Sequence, residues 1–467
     1  MHVAAAAIFA DDPVLRAEHL DRAGEPEAAR AYLAAAKAQA ILFRQDQAIA
    51  LSARGLALAT KAHDTFELAM LVGELQLDAG HGTEALGAYV QALAVASENA
   101  DRCRAPLGCA SSNRLIARVD EAFSGLAEAE PLAGSHSDDR ALAEIHYLRG
   151  NLHFARGQLV ECRSEHELAL EAARRVESPE WQARALSGLA DAQFMDCRMA
   201  TALSHFAGCV DLCEAHGLTR IAVPNRVMMG HCRIYTCEFD LGLEDMRMAL
   251  EAAVRIGNRH AEMFATQSLG MCLIAAGRYD EADKVQPEAL EQARTLKARR
   301  YEAAILGVSA EVALSRGLRT EALALARKGR EISETGPGFV GRYSTVSSPL
   351  VEHKRQDQEV ALAAGEALLA QGSVGPNYFW FRRYAIERAL LFENWNEVDR
   401  QADALLLRMA NEPLAYASQL AERGRQLARR GRGEATETDD ERVRLLTAVA
   451  AGADMRIDAL GIALRRI

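Results

Sequence analysis

Leu269-Gly270-Met271-Cys272-Leu273-Ile274-Ala275-Ala276-Gly277-Arg278-Tyr279-Asp280-Glu281-Ala282, with Ala289-Leu290 further on, reads as two helices joined by a tight turn. Gly270 and Ala289 are small where two helices must come close, and Gly277 suits the positive φ that ends a helix. The same three needs recur along the chain. Gly150, Ala190, Gly230, Gly270 and Ala310 stand at intervals of 40. In phase with them run Ala169, Cys209, Ala249, Ala289 and Gly329, while Gly157, Cys197, Cys237, Gly277 and Gly317 fall at the turn of each copy. Self-similarity at a fixed period of roughly 20 to 50 residues marks a stacked array in which each unit buries its apolar face against its neighbours.

Units of helix A, turn and helix B can be drawn at 26–62, 64–98, 100–133, 138–176, 179–216, 219–257, 259–297, 300–335, 338–371 and 376–411. The first two are shorter, since Ala36 and Gly73 are 37 apart. Asp64, Ser178-Pro179, Pro224 and Pro376 support helix starts, because Asp and Ser cap and proline is tolerated in a first turn. The third unit lacks the turn glycine, and Gly336-Pro337-Gly338 with Ser347-Ser348-Pro349 degrades the ninth. The expected fold is all-α: a right-handed superhelical solenoid of about ten helix–turn–helix units with a period near 40. Residues 1–25 would cap it, 26–430 form the array, 431–441 make a mobile linker and 442–467 supply closing helices.

Composition narrows the function classes. An apolar share of 49% excludes a disordered chain, and only 6% aromatics with abundant alanine points to close helix–helix packing. A net charge of −11 supplies no footprint for nucleic acid. No run of 18 apolar residues occurs, and Met1-His2-Val3-Ala4 before Asp11-Asp12 lacks the pattern of a secretory leader, so the expected location is the cytoplasm, without a membrane contact. Nine cysteines is an odd count, and several occupy positions that want a small buried residue, which fits reduced thiols.

Leu269-Gly270, Leu273, Gly277, Tyr279, Ala282 and Ala289-Leu290 resemble the tetratricopeptide repeat, as do Leu148, Gly150, Gly157 and Ala169-Leu170, and Gly73, Gly80, Ala85, Tyr89 and Ala92-Leu93. The period departs from the usual 34 of that family by about six residues, which predicts longer helices. A narrower resemblance lies in the opening, Asp12-Pro13-Val14-Leu15-Arg16-Ala17-Glu18-His19-Leu20-Asp21-Arg22-Ala23-Gly24, with Ala28-Ala29 and Ala31-Tyr32-Leu33. It is similar to the segment opening the C-terminal helical region of bacterial class III adenylate/guanylate cyclase–AAA ATPase fusion proteins. That resemblance implies a regulatory, signal-transducing arm without the catalytic parts, either stand-alone or a piece of a longer product.

Few residues point to chemistry. There is no G-x-x-x-x-G-K-[ST] loop, and Gly336-Pro337-Gly338-Phe339-Val340-Gly341 fits G-x-G-x-x-G without the strand that a dinucleotide site needs. His153, Cys162 and His166, or Cys209, Cys213 and His216, are the residue types that ligate zinc. Those positions are also where the repeat packs its helices, and Cys232 and Cys272 recur there as repeat equivalents, so no metal, cofactor or catalytic residue is assigned. No local spacing suggests a nucleophile with its base.

Counting three before and one after each residue of the first ladder gives Tyr147 and Asn151, Ser187 and Asp191, Val227 and His231, Gln267 and Met271, Gly307 and Glu311. Tyr147, Asn151, Arg184, Asp191, His231, Gln267, Met271 and Glu311 are the candidates for a concave partner-binding groove, against the alternative of an ordinary solvated face. Tyr378, Trp380, Arg382 and Arg383, in the aromatic stretch 378–384, suit either an interface or burial beside Trp395. Arg423, Arg425, Arg429, Arg430 and Arg432 precede the acidic run Glu434 to Glu441, which would neutralise them. The expected function is a non-catalytic scaffold for a protein or peptide partner, with a small-molecule sensor as the alternative and a homo-oligomer left open.

Overall fold

The computed structural model describes residues 1–42, 44–135, 137–334, 354–370 and 375–438. The glycine-rich segment 336–341, Ser347-Ser348-Pro349 and the closing helices expected over 442–467 lie outside the described residues. Among the described residues all regular structure is helical, in 22 helices. The first ten are α1 (His2–Ile8), α2 (Pro13–Ala23), α3 (Ala28–Ile41), α4 (Gln45–Leu58), α5 (Ala62–Asp78), α6 (Gly82–Val95), α7 (Asn99–Leu115), α8 (Val119–Ser135), α9 (Asp139–Ala155) and α10 (Leu159–Arg175). There follow α11 (Pro179–Met195), α12 (Met199–Ala215), α13 (Thr219–Tyr235), α14 (Phe239–Arg255), α15 (Arg259–Ala275), α16 (Tyr279–Thr295), α17 (Arg299–Ser315) and α18 (Arg319–Glu334). The last four are α19 (Arg355–Ala370), α20 (Gly375–Leu391), α21 (Trp395–Arg408) and α22 (Ala415–Gly431).

From α7 to α17 every helix has 17 residues and starts 20 after the one before. The middle residue of every three-residue turn between α7 and α18 has positive φ: Ala117, Ser137, Gly157, Glu177, Cys197, Gly217, Cys237, Gly257, Gly277, Lys297 and Gly317. At Gly277 its N–H reaches Ile274 O at 2.9 Å and the next N–H, of Arg278, reaches Leu273 O at 2.7 Å, closing the last turn of α15. The sequence period of 40 is thus two structural half-periods ended by the same device, in which glycine is optional: the third unit turns on Ala117 at φ 61. Pro179 opens α11, but Pro224 does not open a helix. It lies inside α13, five residues past its start, like Pro106, Pro131 and Pro287 inside theirs. Packing here outweighs the roughly 3 kcal/mol that an interior proline costs.

The chain divides into two compact units, residues 1–153 with 164–181, and 154–163 with 182 onward. In the first unit, the opening motif is structural. Asp12 accepts the N–H groups of Val14 and Leu15 as the N-cap of α2, ahead of Pro13 in the first turn. Asp21 accepts from Tyr32 Oη at 3.0 Å and from Arg54 at 2.8 Å, and the Arg54 hydrogen bond holds its carboxyl below the usual carboxylate range. Small residues admit rings: a Cβ on Gly73 or Gly108 would meet the buried Tyr89 ring, and one on Gly150 would meet His166 at 2.6 Å.

A large core cluster of the second unit runs from Ala190 to Ala428, beside smaller clusters such as that of Val223, Val227 and Ala249. Gly230 in α13 faces the Gly242 carbonyl of α14, where a Cβ would lie 2.8 Å away, and Gly270 in α15 faces Gln286 of α16. Contacts are not confined to neighbouring helices, as they are in a simple stack. Trp380 of α20 donates its indole N–H to Tyr235 Oη of α13 at 3.1 Å, and Tyr384 Oη meets Glu311 of α17 at 2.6 Å. Tyr416 of α22 packs edge-on against Phe239 of α14 with ring centroids 5.8 Å apart, and Arg408 reaches Asp196 at 3.2 Å. Helices α20 to α22 therefore return onto α11–α17.

Candidate functional site

That return leaves a pocket of about 330 Å³ in the second unit. One side comes from the odd-numbered helices, each giving residues one or two turns apart. They are Asp191, Phe194 and Met195 of α11, Met228, His231 and Tyr235 of α13, Phe264, Gln267 and Met271 of α15, and Arg300, Tyr301 and Ala304 of α17. Phe154 lines it as well, and Pro376, Asn377 and Trp380 of α20 stand across it. Six aromatic residues and three methionines gather here, in a chain with 26 aromatics and 12 methionines. Such a wall with a few polar groups is the composition of a small-ligand site.

Asp191 is half-buried and has no hydrogen-bond or ion-pair partner among the described residues. Burial alone pushes its carboxyl up to about 7. His231 is fixed by Ser268, Nε2 to Oγ 3.0 Å, and burial pushes its imidazole down to about 4, so it is neutral near pH 7. Arg300 is exposed at the rim, with its guanidinium 4.7 Å from the Tyr301 ring centre and 2.8 Å from the Tyr301 hydroxyl.

The eight groove candidates separate. Asp191, His231, Gln267 and Met271 come together in the pocket. Glu311 lies beneath the surface at 2% exposure, ion-paired with Arg383 at 3.1 Å, and so does not face a groove. Arg184 is half-buried on α11 and does not line the pocket. In the first unit Tyr147 stands 5.7 Å from the rings of His166 and Trp181, and Asn151 is half-buried on α9. Of the aromatic stretch, Trp380 lines the pocket, Tyr378 Oη donates to Leu369 O at 2.6 Å, Arg382 meets Glu366 and Gln401, and Arg383 is buried. These side chains are used inside the chain.

Four of the six cysteine and histidine candidates, Cys162, His166, Cys209 and Cys213, are buried in the packing. His166 fills the space over Gly150, and burial pushes it down to about 4. Cys209 lies against the Ala183 carbonyl at 3.2 Å with Cys213 buried beside it, while His216 is the exposed C-cap of α12. Among the described residues no three His, Cys, Asp or Glu side chains converge as a metal site. Arg423 pairs with Glu387, Arg425 with Asp403, and Arg432 with Asp399 and Glu434. No helix among the described residues is long and apolar enough to cross a membrane.

Sequence reasoning missed Phe154, Phe194, Met228, Tyr235, Phe264, Arg300 and Tyr301. A count of large residues one turn to either side of the row would have found most of them, since Phe194 follows Asp191 by three and Phe264 precedes Gln267 by three.

The geometry defines a helical-repeat protein with a pocket between its helices, and comparison with known proteins agrees on the class. The tetratricopeptide-repeat family matches residues 141–215. A search of curated proteins finds no match. Among solved structures, a Rap protein complexed with competence and sporulation factor is similar at 12% identity and TM-score 0.52, covering 84% of this chain and 100% of that one. The apo form of RapI gives 12% identity and TM-score 0.50 over 79% and 98% of the two chains. The Cut9-Hcn1 hetero-tetramer of the APC/C gives 11% and 0.50 over 98% and 92%. At such identities the likeness is one of fold: an all-α array of tetratricopeptide-like repeats.

Proposed function

We propose that the chain is a non-catalytic binding module, a scaffold whose helical rows hold a protein or peptide partner. The observation that carries this reading is the convergence of Asp191, His231, Gln267 and Met271, from three successive odd-numbered helices, on one pocket. Rows presented by rigid helices are pre-organised, so affinity comes from the side chains they carry. The match to a repeat family and a fold neighbour solved with a bound factor support the reading. The opening segment suggests the wider setting, bacterial signal transduction in the cytoplasm beside a nucleotide cyclase or ATPase.

A second reading, small-molecule sensing, is favoured by one observation: α20 stands across the row, with Pro376, Asn377 and Trp380 in the pocket wall, which bounds it like a ligand cavity. Affinity capture from the native cell tests the first reading. Replacing Asp191, Gln267 and Met271 together by alanine is expected to abolish capture of the partner while the melting temperature stays that of the folded chain. Unchanged capture by the triple variant counts against the row.

A further inference from the structure

The carboxylates most deeply placed in the second unit are answered by arginine. Asp245 has Arg226 and Arg233, Glu311 has Arg383, and Glu387 has Arg423. Asp191 breaks that pattern. It is the one carboxylate among the pocket-lining residues, and nothing among the described residues pairs with it. The one arginine among the pocket-lining residues, Arg300, is stacked and hydrogen-bonded on Tyr301 at the exposed rim. A desolvated carboxylate is costly to ionise unless a cation meets it, and aromatic faces attract cations in their own right. Phe194, Tyr235, Phe264 and Trp380 line the same pocket as Asp191, and the Trp380 ring already holds a cation, the Arg383 guanidinium, 5.0 Å from its centre. The volume of about 330 Å³ sits at the small end of the range for small-molecule sites.

We propose that this pocket binds a small organic cation: a protonated amine on an aromatic or branched aliphatic body, its ammonium on Asp191 and its body among Phe194, Phe264 and Trp380. The proposal rests on the second reading above, that the pocket is a ligand site, and names the ligand class.

Binding is coupled to a proton. With its carboxyl near 7, Asp191 is about half protonated at neutral pH when the pocket is empty, and the ammonium requires the ionised form. The groups facing it from the packed elements stay out of that range. His231 lies near 4, Cys162 is raised to about 12, and Cys209 and Cys232 are raised by their surroundings. Arg300, Tyr235 and Tyr301 complete the charged and hydroxyl-bearing lining of the pocket. Affinity for an amine therefore rises by about tenfold between pH 6 and pH 8, as the protonated fraction of Asp191 falls.

Isothermal titration of the full chain tests this with phenethylamine, its neutral counterpart 2-phenylethanol, and the anion 3-phenylpropionate. The expected result is amine binding at least tenfold tighter than either other probe at pH 8, weakening about tenfold at pH 6, with proton release seen as a buffer-dependent heat. Asp191→Asn, its melting temperature checked beside the parent, is expected to bind amine and alcohol alike. If that variant does not fold, the buffer-dependent heat of the unaltered chain decides alone. Equal binding of alcohol and amine by the unaltered chain overturns the cation proposal and leaves the pocket reading standing. No saturable binding of any probe, or binding that survives a pocket-filling Met228→Trp, overturns both. A capped arginine, acetyl-arginine methylamide, binding tenfold tighter than phenethylamine overturns the small-molecule assignment in favour of a peptide's basic side chain.

Discussion

Thr201 and Glu412, 211 residues apart in the chain, meet at the first turn of α12. The Thr201 hydroxyl donates to Glu412 Oε2 at 2.5 Å, and the N–H groups of Ala200 and Thr201 donate to Oε1 at 2.6 and 3.2 Å. Those N–H groups have no partner within their own helix, and no side chain of residue 198 caps it. A carboxylate from the segment joining α21 to α22 does the work of an N-cap and adds negative charge at the positive end of the helix.

Glu412→Ala is therefore expected to lower stability by about 1–2 kcal/mol, the size of a lost N-cap. Glu412→Gln keeps an acceptor and loses the charge, so a smaller drop is expected. Urea unfolding measures the difference, and amide exchange at Ala200 and Thr201 should quicken in the alanine variant. Unaltered protection at those two amides would show that the contact is not what holds the returning helices.

The first ladder contains two glycines with opposite expected behaviour. A Cβ on Gly230 would lie 2.8 Å from the Gly242 carbonyl oxygen, an atom of helix backbone, whereas on Gly270 it would meet the Gln286 amide, the end of a flexible side chain. Alanine in a helix interior gains roughly 1 kcal/mol over glycine, and overpacking against a rigid neighbour costs about 1–3. Gly230→Ala is expected to destabilise in denaturant titration, and Gly270→Ala to be near neutral once Gln286 swings aside. Reversal of that order would remove the close-approach account of the ladder.

Lys297 carries a turn that the sequence does not advertise. It sits at φ 54 between α16 and α17, where its repeat equivalents Gly217 and Gly257 are glycines, and its side chain is exposed. Lys297→Gly is expected to raise stability by about 1 kcal/mol in urea titration, relieving the left-handed conformation without removing a buried contact. A loss of stability would show that glycine's greater unfolded-state freedom outweighs the strain.

That turn also shows what could be read in advance. Gly150 to Ala310 and their two companion ladders disclosed the repeat, because close helix approach and positive φ each restrict the residue type at one position. The half-period stayed hidden because Glu177, Lys297 and Ser137 accept the same backbone conformation as glycine at a modest cost. Pro224 misled because a proline inside α13 looks, in sequence, like one opening it. In the site, Asp191, His231, Gln267 and Met271 were legible as equivalents of one ladder. Their enclosure by Trp380, and the diversion of Glu311 to Arg383, depend on contacts between distant helices that no repeat pattern encodes.

The unpaired carboxylate gives a pH signature independent of any ligand. Burial raises Asp191 from an ordinary 3.8 to about 7, so the folded chain holds its proton where the unfolded chain has lost it. The folded state thus loses relative stability as pH rises from about 4 through 7, at most about 1.4 kcal/mol per pH unit and less for a half-buried group. His166 and His231 act the other way: lowered to about 4 from 6.5, they cost stability as pH falls between those values. A difference experiment separates the two. Asp191→Asn removes the first contribution and keeps both histidines, so its stability relative to the parent is expected to be nearly equal at pH 4 and increasingly greater towards pH 8. Chemical denaturation at pH 4, 6 and 8 reads that gap. A gap that is flat, or widest at pH 4, would mean that Asp191 is already ionised and solvated in the empty pocket.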